Sequence, residues 1–167
     1  MKYNFCFQCG TKYDENQQPG KFSCSSCNSV FYLNSKPTVS TLIIQDGKVL
    51  LGKRKIDPSK GKWDIIGGFL DYGEHPNDGA KREAKEETGL DVEPDQTLGF
   101  FMDTYGPGGD KTMNICMTAK VTSGTPIAGD DIEELEWFSA DNLPEDIAFQ
   151  NGKEMLEAWK KNVEKPL

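Results

Sequence analysis

From Val39 to Ile44 polar and apolar positions alternate and then merge into an unbroken apolar run, which predicts a strand that enters the core. Asp46-Gly47 follows as a two-residue hairpin signal, and Lys48 to Lys55 returns as the partner strand. Ile56 to Lys62, which contains Pro58 and Gly61, breaks the pattern and reads as a loop whose lysines either form a solvated rim or meet phosphates. A second strand pair is predicted at Thr97 to Tyr105 and Lys111 to Val121, around the turn Gly106-Pro107-Gly108-Gly109-Asp110. Gly129-Asp130-Asp131 opens a second acidic cluster leading into a short strand that ends at Trp137-Phe138. In Gly152 to Glu164 the apolar residues Met155, Leu156, Trp159 and Val163 recur at helical spacing, a stripe suited to core packing.

One helix is marked by its ends as well as its period. Pro76 suits the first helical position, Asn77 and Asp78 favour the positive N-terminal end, and Gly89 suits a left-handed closing residue, so a helix is expected over 76–88. His75, the only histidine, directly precedes this helix and is read as its cap in preference to a catalytic group. Glu83, Glu86 and Glu87 fall within an arc of roughly 100° on this helix, because positions three and four apart are surface neighbours. Such like-charge spacings cost about 0.2–0.5 kcal/mol each, and Arg82 to Glu86 is the one local opposite-charge pair. The face is either a solvated acidic surface or a seat for a hard divalent cation bound through oxygens, with a substrate phosphate completing the shell.

Four of the five cysteines form Cys6-x-x-Cys9 and Cys24-x-x-Cys27, close to the spacing of four-thiolate zinc sites, while Cys116 stands alone. Two disulfides are the alternative, disfavoured in a chain with no secretory signal in view. Four thiolates describe a closed structural site, a zinc ribbon with Phe5, Phe7, Phe22, Phe31 and Tyr32 available to wrap it. Charge is uneven: the net value is −8, residues 1–36 carry +2, and the remainder carries −10, a poor footprint for nucleic acid. No apolar run approaches the ~18 residues of a membrane helix, and the expectation is a cytoplasmic protein with no membrane partner.

Gly68, Glu74, Arg82-Glu83-Ala84, Glu86-Glu87 and Gly89-Leu90 stand at the spacings of the Nudix box, and the chain is identified by them as resembling the Nudix hydrolases. Where the family often has Leu-Pro-Gly-Gly before the box, this chain has Ile65-Ile66-Gly67-Gly68 and lacks the proline. The resemblance implies an α/β Nudix fold, a mixed β-sheet sandwiched between helices, with a zinc ribbon over residues 1–33 and a Nudix hydrolase domain over residues 37–167. It also implies hydrolysis of a pyrophosphate bond with Mg²⁺ or Mn²⁺. Carried over by position, Glu83 and Glu87 are metal ligands, Glu86 is a third ligand or general base, and the carbonyl of Gly67 or Gly68 is a further ligand. Arg82 orients Glu86 together with Glu74. A distal acid is the other source of a base, with Glu134 first and Asp131 next, three and six residues before Trp137.

A zinc ribbon fused to such a domain resembles the NADH, ADP-ribose and FAD pyrophosphatases, and Leu143 to Phe149 resembles a late segment of that group. The NADH enzymes carry SQPWPFPxS after the box, whereas Leu98 to Tyr105 stands in that region here, so ADP-ribose or a related dinucleotide is the expected substrate and NADH or FAD the alternative. Gly67, Gly68, Tyr105 and Asp131 are expected at the substrate. Phe100, Phe101 or Tyr105 are candidates to stack on a base. An isoprenyl diphosphate isomerase, a ligand-binding regulator and a nucleic-acid-binding ribbon are the other classes, and a homodimer is compatible with all of them.

Overall fold

A computed structural model of the protein describes residues 3–163. Its centre is a six-stranded mixed sheet in the order β6-β7-β3-β5-β4-β8, formed by β3 (Lys36–Gln45), β4 (Lys48–Arg54), β5 (Trp63–Phe69), β6 (Asp91–Thr104), β7 (Lys111–Ser123) and β8 (Ile132–Ser139). The β3–β7 pair is parallel, and the other pairings are antiparallel. Helix α1 (Pro76–Thr88) covers one face and α2 (Gln150–Val163) the other.

Alternation along β3 distributes side chains between the two faces. Leu42 packs with Val49, Leu51, Trp63, Phe138 and, from α2, Met155, Leu156 and Trp159. Ile43 packs with Leu50, Ile66, Leu90 and, from α1, Ala84. The predicted stripe on α2 is therefore core, although the side chain of Val163 and all of Glu164 lie outside the described residues, as do Met1, Lys2 and residues 165–167 of the expected domain spans.

Two strands differ from the sequence expectation. Strand β6 begins at Asp91 and not at Thr97, pairing with β7 through register shifts at Pro94/Gln96 and Thr97/Gly99. It is an edge strand, where a proline without an N–H does no harm to the ladder. Residues 63–69 lead into the box as a strand of their own, disguised in the sequence by Gly67 and Gly68. Gly67 has φ 151°, and a Cβ there would stand 2.1 Å from the carbonyl oxygen of Val39. Only glycine permits β5 to pass β3 this closely.

The N-terminal module is two matching knuckles and the hairpin of β1 (Lys21–Ser23) and β2 (Val30–Tyr32). After each Cys-x-x-Cys a left-handed residue, Gly10 at φ 74° and Asn28 at φ 59°, donates its N–H to the carbonyl of the first cysteine at 2.9 Å. Phe22 packs on Cys6, Tyr13 and Cys24, and Phe7 meets Phe31 at 4.8 Å. Phe5, Phe7 and Tyr32, expected to wrap the module, are exposed, and Tyr13 takes the buried place beside Cys6 and Cys24.

Trp159, buried against Trp63 and Phe138, carries the α2 face of the core. Trp159→Ala is expected to lower stability by about 3–5 kcal/mol. A urea melt would show this as a lower midpoint at an unchanged slope.

Candidate active site

Helix α1 forms where local chemistry predicts. The Nδ1 of His75 accepts from Asn77 N at 3.2 Å, Pro76 starts the helix, and Gly89 closes it at φ 69° with its N–H on the carbonyl of Lys85. Gly79, Ala80 and Ala84 face the sheet, so the helix lies close against β5 and carries Glu83 and Glu87 inward. A Cβ on Gly68 would stand 2.4 Å from the Oε1 of Glu83. Gly67 N donates to the Oε2 of Glu87 at 2.9 Å.

Arg82 ties the box together. It meets both oxygens of Glu74 at 2.8 Å, Glu83 Oε1 at 2.7 Å, Glu86 Oε2 at 3.2 Å, and the carbonyl of Phe69 at 3.1 Å. The local pairing is thus wider than Arg82 to Glu86 alone, with Glu74 the bidentate partner. That guanidinium, with the amide of Asp71, holds Glu74 down to about 2.

Glu83 and Glu87 are buried, and both are pushed upward by loss of hydration. For Glu83 the adjacent Arg82 offsets part of this. Glu87 has only the Gly67 amide in its favour, while Asp131, Glu83 and Asp64 press on it, so it rises well above the ordinary carboxylate range. Among the described residues no ion pair reaches Glu87. Two buried carboxylates, one without a cation, beside a backbone opened by glycine form a donor set that fits a hard divalent ion. Glu86 is exposed and held by Arg82.

Gly67, Gly68, Glu83 and Glu87 border a cleft of about 180 Å³ that also takes in Thr38, Asp64, Tyr105, Asn114, Asp131 and Phe149, while Arg82 and Glu86 stand outside its lining. Tyr105 stacks on Phe149 at 5.7 Å and meets Phe69 edge-on at 5.4 Å. Behind them Arg54 lies over the Phe149 ring at 5.1 Å, donates to Asp64 at 3.0 Å and to Pro58 O at 2.7 Å, and stands 3.8 Å from Asp131. Desolvation in the cleft wall pushes Asp64 up to about 6 against the pull of Arg54.

Of the expected residues, the cleft brings together Gly67, Gly68, Glu83, Glu87, Tyr105 and Asp131. It does not reach Glu134, which lies within β8 opposite Lys53, exposed and paired with its Nζ at 3.0 Å. Phe100 points to solvent and Phe101 packs on the α2 core, so neither stands at the cleft. Arg54, Asp64 and Phe149 were not anticipated, though a carboxylate between Trp63 and Ile65 is a signal that sequence alone offers.

At the other end of the chain, the sulfurs of Cys6 and Cys27 are 3.7 Å apart and those of Cys9 and Cys24 3.6 Å, with all four within 4.8 Å of one another. A tetrahedron with Zn–S of about 2.3 Å has edges of about 3.8 Å, so the cluster is compatible with zinc. Ser29 Oγ stands 3.2 Å from Cys6 and 3.1 Å from Cys27.

The raised carboxylates give stability a sign with pH. In Mg²⁺-free buffer the folded protein keeps protons on Glu83 and Glu87 that the unfolded chain has lost, so stability should fall as pH rises above the ordinary carboxylate range. Glu74, shifted the other way, acts only below that range. Thermal melts from pH 5 to 8 should decline for the wild type and decline less for Glu87→Gln. Equal slopes would rule out Glu87 as a source of the dependence.

The fold and the box have counterparts in known proteins. The NUDIX domain family matches residues 34–159. An ADP-ribose pyrophosphatase of Methanocaldococcus jannaschii is 37% identical over 122 residues, 73% of this chain and 72% of that protein. The human mitochondrial NAD(P)H pyrophosphatase NUDT13 is 30% identical over 144 residues, 84% of this chain but only 40% of that longer protein. A crystal structure of a NUDIX hydrolase from Nitrosomonas europaea superposes with a TM-score of 0.80 at 27% identity, covering 98% of this chain and 95% of that one. The box is thus found in its expected fold, and the chain belongs to the Nudix hydrolase family.

Proposed function

We propose that the protein hydrolyses the pyrophosphate bond of ADP-ribose, or of a closely related nucleoside diphosphate derivative, with Mg²⁺ or Mn²⁺. The observation that carries this is the buried Glu83–Glu87 pair opening onto the same cleft as the Tyr105–Phe149 wall. A base stacked on that wall leaves its diphosphate at the box. Support for ADP-ribose comes from the archaeal relative and from Leu98 to Tyr105, which lacks the NADH segment. A NAD(P)H-type substrate is the second reading, favoured by a match to NUDT13 that extends over more of this chain.

Glu83, Glu87 and the carbonyl of Gly67 or Gly68 would hold the cation, with Glu86 joining if it leaves Arg82. When bound, the ion supplies positive charge against the bridging phosphates and activates water for attack on phosphorus. The chain's own groups do the rest. The Gly67 amide fixes the orientation of Glu87, and Arg82 fixes Glu83 through a network anchored on Glu74. Asp131, whose Oδ1 is buried with no partner among the described residues, is placed to accept the proton of the attacking water. It is preferred to Glu134, which is engaged by Lys53 outside the cleft. Water adds across P–O–P, and the products are AMP and ribose 5-phosphate.

With Mg²⁺, ADP-ribose should be turned over faster than NADH when AMP is followed by chromatography. NADH hydrolysed tenfold faster would instead support the second reading. Glu87→Gln should lower turnover by about 10²–10⁴, because cation charge at the transition state is worth several kcal/mol.

Zinc in the four-thiolate site is part of the same proposal, as a structural ion that contributes folding energy to the ribbon. Cys24→Ser should make the N-terminal module sensitive to protease while pyrophosphatase activity persists in part. Metal analysis of chelator-free protein should find zinc near one per chain, and none found would remove this assignment.

A further inference from the structure

On the α2 side of the sheet the cleft has a floor that the proposed chemistry leaves unused. Thr38 of β3 and Asn114 of β7 are register partners in the parallel pair, and both line the cleft. Thr38 is 7% exposed. Its Oγ1 and the Oδ1 of Asn114 are buried without a hydrogen-bond partner among the described residues. A buried polar atom left without a protein partner is unfavourable, so two of them side by side, on strands about 4.8 Å apart, present a paired polar surface to whatever fills the cleft. Thr41 has an unpartnered hydroxyl too, but it does not line the cleft.

The surroundings narrow the ligand. Asp103 and Asp131 also border the cleft, and the Oδ1 of Asp131 is a further unpartnered acceptor. Arg54 is already engaged by Asp64 and the Pro58 carbonyl. An anion would meet acceptors here, so phosphate belongs at the box, and the floor suits a neutral group rich in O–H donors. The backing is rigid, since Asp103 accepts from Thr104 N at 2.6 Å and from Asn151 N, at the start of α2, at 3.1 Å.

We infer that Thr38 and Asn114 read the hydroxyl groups of the sugar on the far side of the diphosphate, and so set a preference for sugar-bearing nucleoside diphosphates over nucleotides that lack a second sugar. The inference rests on the diphosphate lying at the box, as proposed above. Thr38 supplies a hydroxyl that donates and accepts, Asn114 an amide oxygen that accepts, and a vicinal diol satisfies both. A site built to hydrogen-bond hydroxyls discriminates strongly against an analogue without them, because its own polar atoms are then left unpaired.

The test separates sugar recognition from turnover. The Mg²⁺-loaded full chain is titrated calorimetrically with ribose 5-phosphate and with tetrahydrofurfuryl phosphate, the same ring without its hydroxyls. The wild type should bind ribose 5-phosphate at least about tenfold more tightly. Thr38→Val and Asn114→Leu should each bring that ratio toward one by weakening ribose 5-phosphate alone, with melting temperature held or raised, because each removes an unpaired buried polar atom. Equal wild-type affinity for the two phosphates, or a ratio undiminished in both variants, would overturn the inference. A wild type that discriminates between them yet leaves ADP-ribose intact would overturn the proposed substrate and leave the floor's role standing.

Discussion

The close approach of α1 to β5 is the constraint on which the site depends. Gly68 has no Cβ, and one added there would meet the Glu83 carboxylate of α1, while Gly67 beside it lets β5 pass β3 at Val39. Without that approach the Gly67 amide would not reach Glu87 at 2.9 Å, and neither carboxylate would be buried. Glycine inside a strand is locally unfavourable by roughly 0.5–1 kcal/mol. Here that weakness is the condition for placing two acids in low-dielectric surroundings beside a bare stretch of backbone.

Arg82 eases the electrostatic problem this creates, but only on one side. Its guanidinium is a single positive charge shared among Glu74, Glu83 and Glu86, so the outer edge of the box is held together by one cation and stays net negative. Glu87 lies beyond its reach, among Asp64, Asp131 and Glu83. The buried part of the excess negative charge points inward, toward the cleft, which is where a divalent ion would offset it.

How much of this was legible in the sequence depended on how local its causes were. Helix α1 was readable to its ends because His75, Pro76 and Gly89 act within one turn of where they stand. The Cys-x-x-Cys knuckles were readable for the same reason. Strand β5 was hidden, since two glycines look like a turn until Val39 is seen across from them. The floor residues Thr38 and Asn114 are joined by a parallel pairing between strands far apart in the chain, and polar residues in alternating strands give no sign of which ones will meet. Glu134 illustrates the converse. Counting back from Trp137 ranked it above Asp131, but β8 already begins at Ile132, so Glu134 is paired with Lys53 at the sheet edge while Asp131 stays on the loop that faces the cleft.

The two faces of the sheet differ in what they bury. Trp63, Phe138, Met155, Leu156 and Trp159 fill the α2 side, whereas α1 offers the sheet little more than Gly79, Ala80 and Ala84 around its acids. The large aromatic side chains of the core thus lie mostly opposite the box helix, while on its own side Ile43, Leu50 and Ile66 of the sheet, with Leu90, supply the packing. Packing and chemistry are therefore carried by different residues of one helix: Gly79, Ala80 and Ala84 are fixed by the space they leave, a Cβ on Gly79 meeting Leu70 at 2.4 Å, whereas the acids are fixed by what they bind.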